Sequence, residues 1–272
     1  MQRADDQYAL GHDEQELIRL DRQADALAVV TRALLRESGL MPGTTVLDLG
    51  TGTGRVALLL AELVGPSGRV VGLDRSAEAL AHARRQPVGI GSAPVDFLEA
   101  DVSAPLPVTA DSAVCRLVLA YQHDPVATLQ TWMASLRSGG RVVALEFDFS
   151  GARALPDVPL VAQVLRWIDE GFGVSGQQQR LGPRLPELFR QAGLRDVGSL
   201  GGQLYLDAGD PAAPALPAGV VASLLPAIVR AGIATAEDIG IDILEQRIAG
   251  ELRRSGAVFC PPTLVACWGR VP

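Results

Sequence analysis

Apolar residues in the first half of the chain fall into short runs separated by segments with helical spacing. Five runs have the length of a buried parallel strand, and they lie at about 44–49, 69–73, 95–100, 111–119 and 141–147. The segments between them carry apolar residues at the spacing of amphipathic helices. Alternating strands and helices predict a doubly wound parallel sheet, and ligands of such sheets bind beyond the carboxyl ends of the strands.

Helices are also predicted on both sides of this core. The first helix begins at Asp13, where Asp13-x-x-Glu16 resembles a capping box, and runs to about Ser38. After the fifth run the pattern loosens into predicted helices at about 160–172, 186–192, 219–231 and 236–254, and strands at about 195–206 and 264–271. Residues 208–218 are rich in alanine and proline, which indicates a linker outside the core.

The whole pattern predicts a Rossmann-like, doubly wound seven-stranded α/β sheet that is mostly parallel, with an antiparallel edge strand formed by the last hairpin. We expect an N-terminal helical lid at 1–42 and a ligand-binding core at 43–150. Residues 151–272 complete the sheet and supply a C-terminal helical cap at about 207–258.

Composition narrows the classes of function. The formal net charge of −7 argues against a surface for nucleic acid or anionic membranes. All basic residues are arginine, which excludes Schiff-base chemistry on a lysine. Cys115, Cys260 and Cys267 form no C-x-x-C pair, so no metal site or disulfide framework is expected. No signal peptide and no run of about 18 apolar residues is recognised, which predicts a cytoplasmic protein without a membrane span.

The stretch V-L-D-L-G-T-G-T-G-R at 46–55 combines an apolar strand, a glycine loop and the start of a helix. Gly50, Gly52 and Gly54 let backbone N–H groups come close to a ligand, because no Cβ stands in the way. The last two glycines, with the alanine that follows, also fit the dinucleotide fingerprint. Asp48 favours a ligand that carries an ammonium or sulfonium group, since a pyrophosphate gains nothing from a nearby negative charge.

Asp74 ends the second strand, twenty residues after Gly54. A carboxylate at this place can accept both ribose hydroxyls of an adenosine ligand. Arg75 beside it either stacks on the adenine or is simply exposed. These two positions predict an adenosine-containing ligand without naming the reaction.

D-x-G-x-G-x-G after an apolar strand resembles the first motif of class I S-adenosylmethionine (SAM)-dependent methyltransferases. The segment D-S-A-V-C-R-L-V-L-A-Y-Q-H-D-P, followed by a helix and S-G-G, resembles the fourth motif and the proline-glycine-glycine motif of that family, with Ser138 in place of the usual proline. The resemblance implies SAM as cofactor and S-adenosylhomocysteine as product. The cofactor-binding positions that it implies here are Asp48, Gly50, Thr51, Gly52, Gly54, Asp74 and Arg75.

The resemblance also assigns roles to residues that end the third and fourth strands. Asp101, in E-A-D-V, would hydrogen-bond the adenine amino group, and the backbone N–H of Val102 would contact a ring nitrogen. The resemblance implies that Arg116 lies where the chain approaches the methionine end of SAM. It either binds the methionine carboxylate, organises the N-terminal helix or pairs with a surface acid.

The N-terminal stretch Y-A-L-G-H-D-E-Q-E-L-I-R-L-D-R-Q resembles the lid of small-molecule methyltransferases of the ubiquinone-biosynthesis-like type, which includes secondary-metabolite enzymes. The resemblance implies that Tyr8, Arg19 and Gln23 lie over the cofactor, although a solvated helix face explains the last two equally well. It covers residues 8–150, and P-P-T-L-V-A-C-W-G-R near the end is also similar to that group.

Three residues after the fourth and fifth strands are candidates for catalysis. His123, Tyr121 and Glu146 lie at the predicted mouth of the site, where a general base is needed when the acceptor is a hydroxyl of high pKa. Glu146 could instead hold the acceptor. No catalytic metal is predicted.

These observations predict a methyltransferase that moves a methyl group from SAM to the oxygen, nitrogen or carbon of a small, largely apolar acceptor in secondary metabolism. We expect no nucleic-acid or membrane partner. The sequence leaves open whether the protein forms a homodimer. The alternatives are a SAM-binding enzyme of the same fold repurposed for cyclisation or rearrangement, an NAD-dependent oxidoreductase and a non-catalytic SAM-binding protein. The lack of lysine removes the Tyr-x-x-x-Lys type of oxidoreductase.

Overall fold

The computed structural model describes residues 14–175 and 180–272. The chain divides into two compact units. The first, called the sheet unit, contains Leu27–Phe147, Leu181–Gly202 and Leu264–Pro272. The second, called the helical unit, contains Asp148–Arg180 and Gln203–Thr263 together with the described part of Met1–Ala26. The lid, core and cap boundaries drawn from the sequence stay predictions.

Strands and helices alternate through most of the described chain. The strands are β1 (Thr45–Leu49), β2 (Arg69–Asp74), β3 (Val95–Glu99), β4 (Ala110–Arg116), β5 (Leu136–Asp148), β6 (Arg153–Leu155), β7 (Arg195–Gly202), β8 (Val258–Cys260) and β9 (Thr263–Arg270). The helices are α1 (Glu14–Glu37), α2 (Arg55–Val64), α3 (Ala77–Ala83), α4 (Pro125–Ala134), α5 (Pro159–Val174), α6 (Leu185–Ala192), α7 (Ala212–Arg230), α8 (Ala236–Ile239) and α9 (Ile241–Ser255).

The sheet unit is built on a seven-stranded sheet with the order β3-β2-β1-β4-β5-β9-β7. The first five of these strands pair in parallel, while β7 and β9 pair antiparallel. The predicted Rossmann-like sheet with an antiparallel hairpin at its edge is therefore confirmed, with β9 inserted between β5 and β7. Leu49 is in register with Leu73 on one side and Cys115 on the other, so β1, β2 and β4 end at the same edge.

Burial of the apolar runs explains why these residues form a central sheet. Leu47, Leu49 and Leu73 are fully buried in a cluster that also contains Trp132 and Phe189 from the flanking helices. Strands that are buried on both faces need apolar side chains on both faces, and this is why the runs are continuous and not alternating.

The helical unit has its own core and a small antiparallel sheet formed by β6 and β8. Its helices α5, α7 and α9 bury one cluster that includes Trp167, Leu224 and Ile248. A Cβ added to Gly171 of α5 would lie 3.0 Å from Cγ1 of Ile228 in α7, so the two helices pack closely at this glycine.

Two expectations about the segment before and within α7 are wrong. Residues 208–218 are not a linker, because α7 begins at Ala212 and buries Ala213 and Pro217. Residues 211–229 also contain a single polar side chain, Ser223. Among the described residues, α7 is the one helix long and apolar enough to cross a membrane by length and composition, so the statement that the chain has no such run is corrected.

Several element boundaries differ from their predictions by a few residues. Strand β5 begins at Leu136, five residues before the predicted start at about 141, and so includes Gly139 and Gly140. Strand β7 ends at Gly202, four residues before the predicted end. Helix α5 continues to Val174, two residues beyond its predicted end.

Leu224→Ala tests whether α7 is a packed core helix. Leu224 is fully buried in the helical unit, so its truncation is expected to lower the free energy of unfolding in urea by about 2–5 kcal/mol. Val229→Ala, in the same helix, removes a side chain that is 40% exposed and is expected to cost less than about 1 kcal/mol. Equally small losses in both variants would contradict the packing of α7.

Candidate functional site

The glycine loop between β1 and α2 is closed against the end of β2. The backbone N–H groups of Gly50 and Thr51 both donate to the carbonyl of Leu73, at 2.8 and 2.9 Å. Gly50, Gly52 and Gly54 have φ values of 68°, 52° and 82°, a region that residues with a Cβ rarely adopt. The loop conformation therefore requires glycine at these three positions.

The three glycines differ in what surrounds them. A Cβ on Gly50 would lie 2.6 Å from Cγ2 of Val118, and one on Gly54 would lie 2.9 Å from Cβ of Ala83. A Cβ on Gly52 would have no neighbour within 4 Å. The first and third glycines thus serve packing inside the protein, and Gly52 is the point where the loop presents bare backbone to open space.

Asp48 is buried directly beneath this loop. Its Oδ2 accepts a hydrogen bond of 2.6 Å from the hydroxyl of Thr51, which is also buried. Burial raises the pKa of Asp48 to about 6, although the Thr51 hydrogen bond and the charge of Arg116 act in the opposite direction. The observed contact of Asp48 is with the loop itself, and its predicted contact with a ligand cation stays a prediction.

Asp74 connects the loop to the end of β2. Its Oδ2 accepts from the N–H of Gly52 at 2.8 Å, and its Oδ1 accepts from the N–H of Ser76 at 3.0 Å. Each carboxylate oxygen offers two lone pairs, so these bonds leave acceptor capacity for ribose hydroxyls. The carboxylate predicted from the sequence is held beside Gly52.

Asp101 and Val102 follow β3 and have separate structural partners. Oδ1 of Asp101 accepts from both the N–H and the hydroxyl of Ser103, at 2.9 and 2.6 Å, and these bonds lower the pKa of Asp101. The charge of Arg75 acts in the same direction. The carbonyl of Val102 accepts from Nε1 of Trp132 at 2.7 Å, which anchors this turn to α4.

Arg116 ends β4 and contacts the N-terminal helix. Its Nη1 donates to the hydroxyl of Thr31 in α1 at 3.1 Å. Burial lowers the pKa of Arg116 to about 10, and the charge of Asp48 acts against that decrease. Of the three interpretations drawn from the sequence, this contact supports the one in which Arg116 organises the helix. Thr31 was not predicted as a site residue. Its hydroxyl within the apolar stripe of α1 is the feature of the sequence that could have indicated this contact.

The catalytic candidates lie in and next to the loop after β4. Oε1 of Glu146 accepts from the N–H groups of Val118 and Leu119, at 2.9 and 2.7 Å. Burial raises the pKa of Glu146 to about 7, against the effect of these bonds. Tyr121 is partly buried at the end of a short 3-10 helix in this loop, and His123 is exposed just before α4. Tyr121 thus lies in the loop whose backbone N–H groups bind Glu146. The roles of these residues in catalysis stay predictions.

The lid residues belong to the N-terminal part of the chain. Tyr8 lies outside the described residues. Oε1 of Gln23 accepts from Nη1 of Arg19 at 2.7 Å within α1, in the helical unit. The aliphatic part of Arg19 passes over Gly219 of α7, where a Cβ would lie 3.1 Å from Cγ of the arginine. A role of Gln23 over the cofactor stays a prediction.

Comparison with known proteins bears directly on this arrangement. A family model described as "Methyltransferase domain" matches residues 40–181, more than half of the chain. Demethylmenaquinone methyltransferase of Lactococcus lactis is 33% identical over 58% of this chain and 69% of that protein. Ubiquinone/menaquinone biosynthesis C-methyltransferase UbiE of Hahella chejuensis is 29% identical over 60% of this chain and 72% of that protein. The chain spans about half of another relative, an uncharacterised 37.1 kDa protein in transposon TN4556 of Streptomyces fradiae, which is 33% identical over 60% of this chain and 49% of that protein.

A solved structure agrees with the family assignment at the level of the fold. The SAM-dependent methyltransferase from Aquifex aeolicus has a TM-score of 0.52 and 19% identity, covering 72% of this chain and 93% of that chain. The family resemblance drawn from the sequence motifs is thereby confirmed, and SAM is the cofactor of the family. With its glycine loop, strand-end carboxylates and seven-stranded sheet, the chain belongs to the methyltransferase domain family of class I SAM-dependent enzymes.

Proposed function

We propose that the chain transfers a methyl group from SAM to a small, largely apolar acceptor, at an oxygen, nitrogen or carbon atom, in secondary metabolism. The observation that carries this proposal is the hydrogen bond from the N–H of Gly52 to the carboxylate of Asp74. It holds a carboxylate beside bare backbone at the edge of the sheet where β1, β2 and β4 end. We place this protein in the cytoplasm and leave open whether it forms a homodimer.

The residues at this edge fit SAM by their chemistry. Asp74 has acceptor capacity for the ribose hydroxyls. The bare backbone at Gly52 borders an open space, called the cradle, which a Cβ at this position would fill. Oδ1 of Asp101 accepts from Ser103, and a carboxylate has more acceptor sites than these two bonds use, so Asp101 fits an adenine amino group. When bound, SAM supplies an electrophilic methyl group.

The remaining site residues hold this cradle in place. Asp48 and Thr51 fix the inner side of the glycine loop, and Arg116 balances the buried negative charge of Asp48. A fixed loop lowers the entropy cost of binding, because fewer backbone conformations have to be lost on association. His123 and Tyr121 are the proposed general bases when the acceptor is a hydroxyl group.

An apolar acceptor is supported by the names of two relatives. By their names, the relatives from Lactococcus lactis and Hahella chejuensis act on demethylmenaquinone and in ubiquinone/menaquinone biosynthesis. These names favour a quinone-like or aromatic acceptor over a charged metabolite.

The function is tested by following radiolabelled methyl transfer from SAM to two panels of acceptors. One panel holds small quinones, phenols and polyketide-like compounds, and the other holds small carboxylic acids and amines. We expect labelled product in the apolar panel, because the two named relatives are enzymes of quinone methylation by their names. Transfer confined to the polar panel would contradict the acceptor class. SAM binding without transfer to any compound would favour the repurposed or non-catalytic alternatives.

Gly52→Ala and Gly256→Ala form a matched pair that tests the cradle, with Gly256 at the end of α9 as the control. Both glycines have positive φ, 52° and 63°, and neither would place a Cβ within 4 Å of another group. Each alanine is therefore expected to cost about 1–2 kcal/mol of stability from the left-handed backbone. Only Gly52→Ala should raise the dissociation constant of S-adenosylhomocysteine, by about ten-fold or more, which corresponds to about 1.4 kcal/mol. Equal affinities in the two variants would remove Gly52 from the site.

Asp74→Ala tests the ribose carboxylate. A hydrogen bond to a charged acceptor contributes about 1.5–3 kcal/mol, so the dissociation constant of S-adenosylhomocysteine should rise at least about ten-fold. Asp96→Ala is the control, because this exposed aspartate on β3 is occupied by Arg69. Calorimetry measures both variants, and an unchanged affinity for Asp74→Ala would contradict its assignment.

A further inference from the structure

The chain leaves β4 through a residue in a disfavoured conformation. Leu117 has a φ of 59°, a left-handed value that is uncommon for a residue with a side chain. Val118, which follows, has φ −119° and ψ −41° and is right-handed. A left-handed residue next to a right-handed one turns successive N–H groups toward one side, which creates a concave site for an anion.

The carboxylate of Glu146 occupies this concave site. Its Oε1 accepts from the N–H groups of three consecutive residues, Val118 at 2.9 Å, Leu119 at 2.7 Å and Ala120 at 3.4 Å. The side chain is 1% exposed, and a buried carboxylate is costly without such partners. Three backbone donors on one oxygen use its acceptor capacity fully, so Oε1 is committed to the loop.

The loop held by Glu146 contacts the glycine loop. A Cβ added to Gly50 would lie 2.6 Å from Cγ2 of Val118, so the valine packs directly on the bare backbone of Gly50. The N–H of Gly50 donates in turn to the carbonyl of Leu73, which precedes Asp74 at the end of β2. A continuous path of contacts therefore runs from Glu146 through Val118 to the cofactor edge of the sheet.

This geometry distinguishes between two possible roles of Glu146. A general base has to reach the proton of the acceptor, whereas this carboxylate is buried and bound to backbone N–H groups. We propose that Glu146 is a positioning residue, whose carboxylate fixes the loop at Val118–Ala120 and through Val118 sets the conformation of the glycine loop that binds SAM. The inference deepens the proposed function and rests on it.

The proposal is tested with Glu146→Gln and Glu146→Ala, and with Glu187→Gln as a control in an exposed part of α6. Glutamine keeps an acceptor oxygen for the three N–H groups, but it cannot serve as a base. Two readouts are measured, the dissociation constant of S-adenosylhomocysteine by calorimetry and the amide hydrogen exchange of residues 118–120 by NMR. Methyl transfer to an acceptor found in the screen is a third readout.

We expect Glu146→Gln to bind S-adenosylhomocysteine within about three-fold of the parent chain, to keep slow exchange at residues 118–120 and to retain methyl transfer. Glu146→Ala should speed that exchange at least ten-fold and weaken binding at least ten-fold. Loss of methyl transfer in Glu146→Gln with binding intact would overturn the proposal in favour of a base. Unchanged exchange in Glu146→Ala would overturn it as well.

Val118→Ala provides a second variant should Glu146→Ala fail to fold. It removes the methyl groups that pack on Gly50 and leaves the three N–H groups on Glu146. We expect weaker binding of S-adenosylhomocysteine with unchanged exchange at residues 119 and 120, and unchanged binding would overturn the proposed path. If the parent chain binds no S-adenosylhomocysteine, the proposed function fails, while the exchange data still report whether Glu146 holds the loop.

Discussion

Hydrogen bonds from the glycine loop to groups at the ends of β1 and β2 are the interaction on which the site depends. The loop donates to Asp48 through Thr51, to Asp74 through Gly52 and to the carbonyl of Leu73 through two further N–H groups. A loop of this kind has high conformational entropy when it is free, because glycine has more accessible backbone states than other residues. The register of the parallel sheet supplies the partners that hold it in one conformation.

Two of the carboxylates near this edge are buried, and each has a partner that offsets the cost. Asp48 faces Thr51 and the charge of Arg116, and Glu146 faces three backbone N–H groups. Their pKa values are nonetheless raised, to about 6 and about 7, because burial disfavours the charged form. Stability from these two groups is therefore fully present below their unfolded pKa values and is lost as the pH rises toward 6 or 7. Site geometry is retained here at some cost in stability near neutral pH.

Local pattern was sufficient for the sheet and for the glycine loop beside Asp74, because β1, the glycine loop and Asp74 are each specified by neighbouring residues. It failed for the first part of α7, residues 212–218, where Pro217 lies inside a helix that proline normally breaks. Packing of the apolar face against α5 and α9 outweighs that local preference. The bonds between Glu146 and Val118–Ala120 join residues 26 to 28 positions apart, and no spacing rule connects them. The left-handed conformation of Leu117 likewise has no signal in its own residue type.

We propose that the edge formed by Asp48, Asp74 and the glycine loop binds SAM and not a dinucleotide. Calorimetric titration of the unaltered chain with S-adenosylhomocysteine and, separately, with NAD tests it most directly. We expect micromolar binding of S-adenosylhomocysteine and no detectable binding of NAD. Micromolar binding of NAD, with none of S-adenosylhomocysteine, would contradict it.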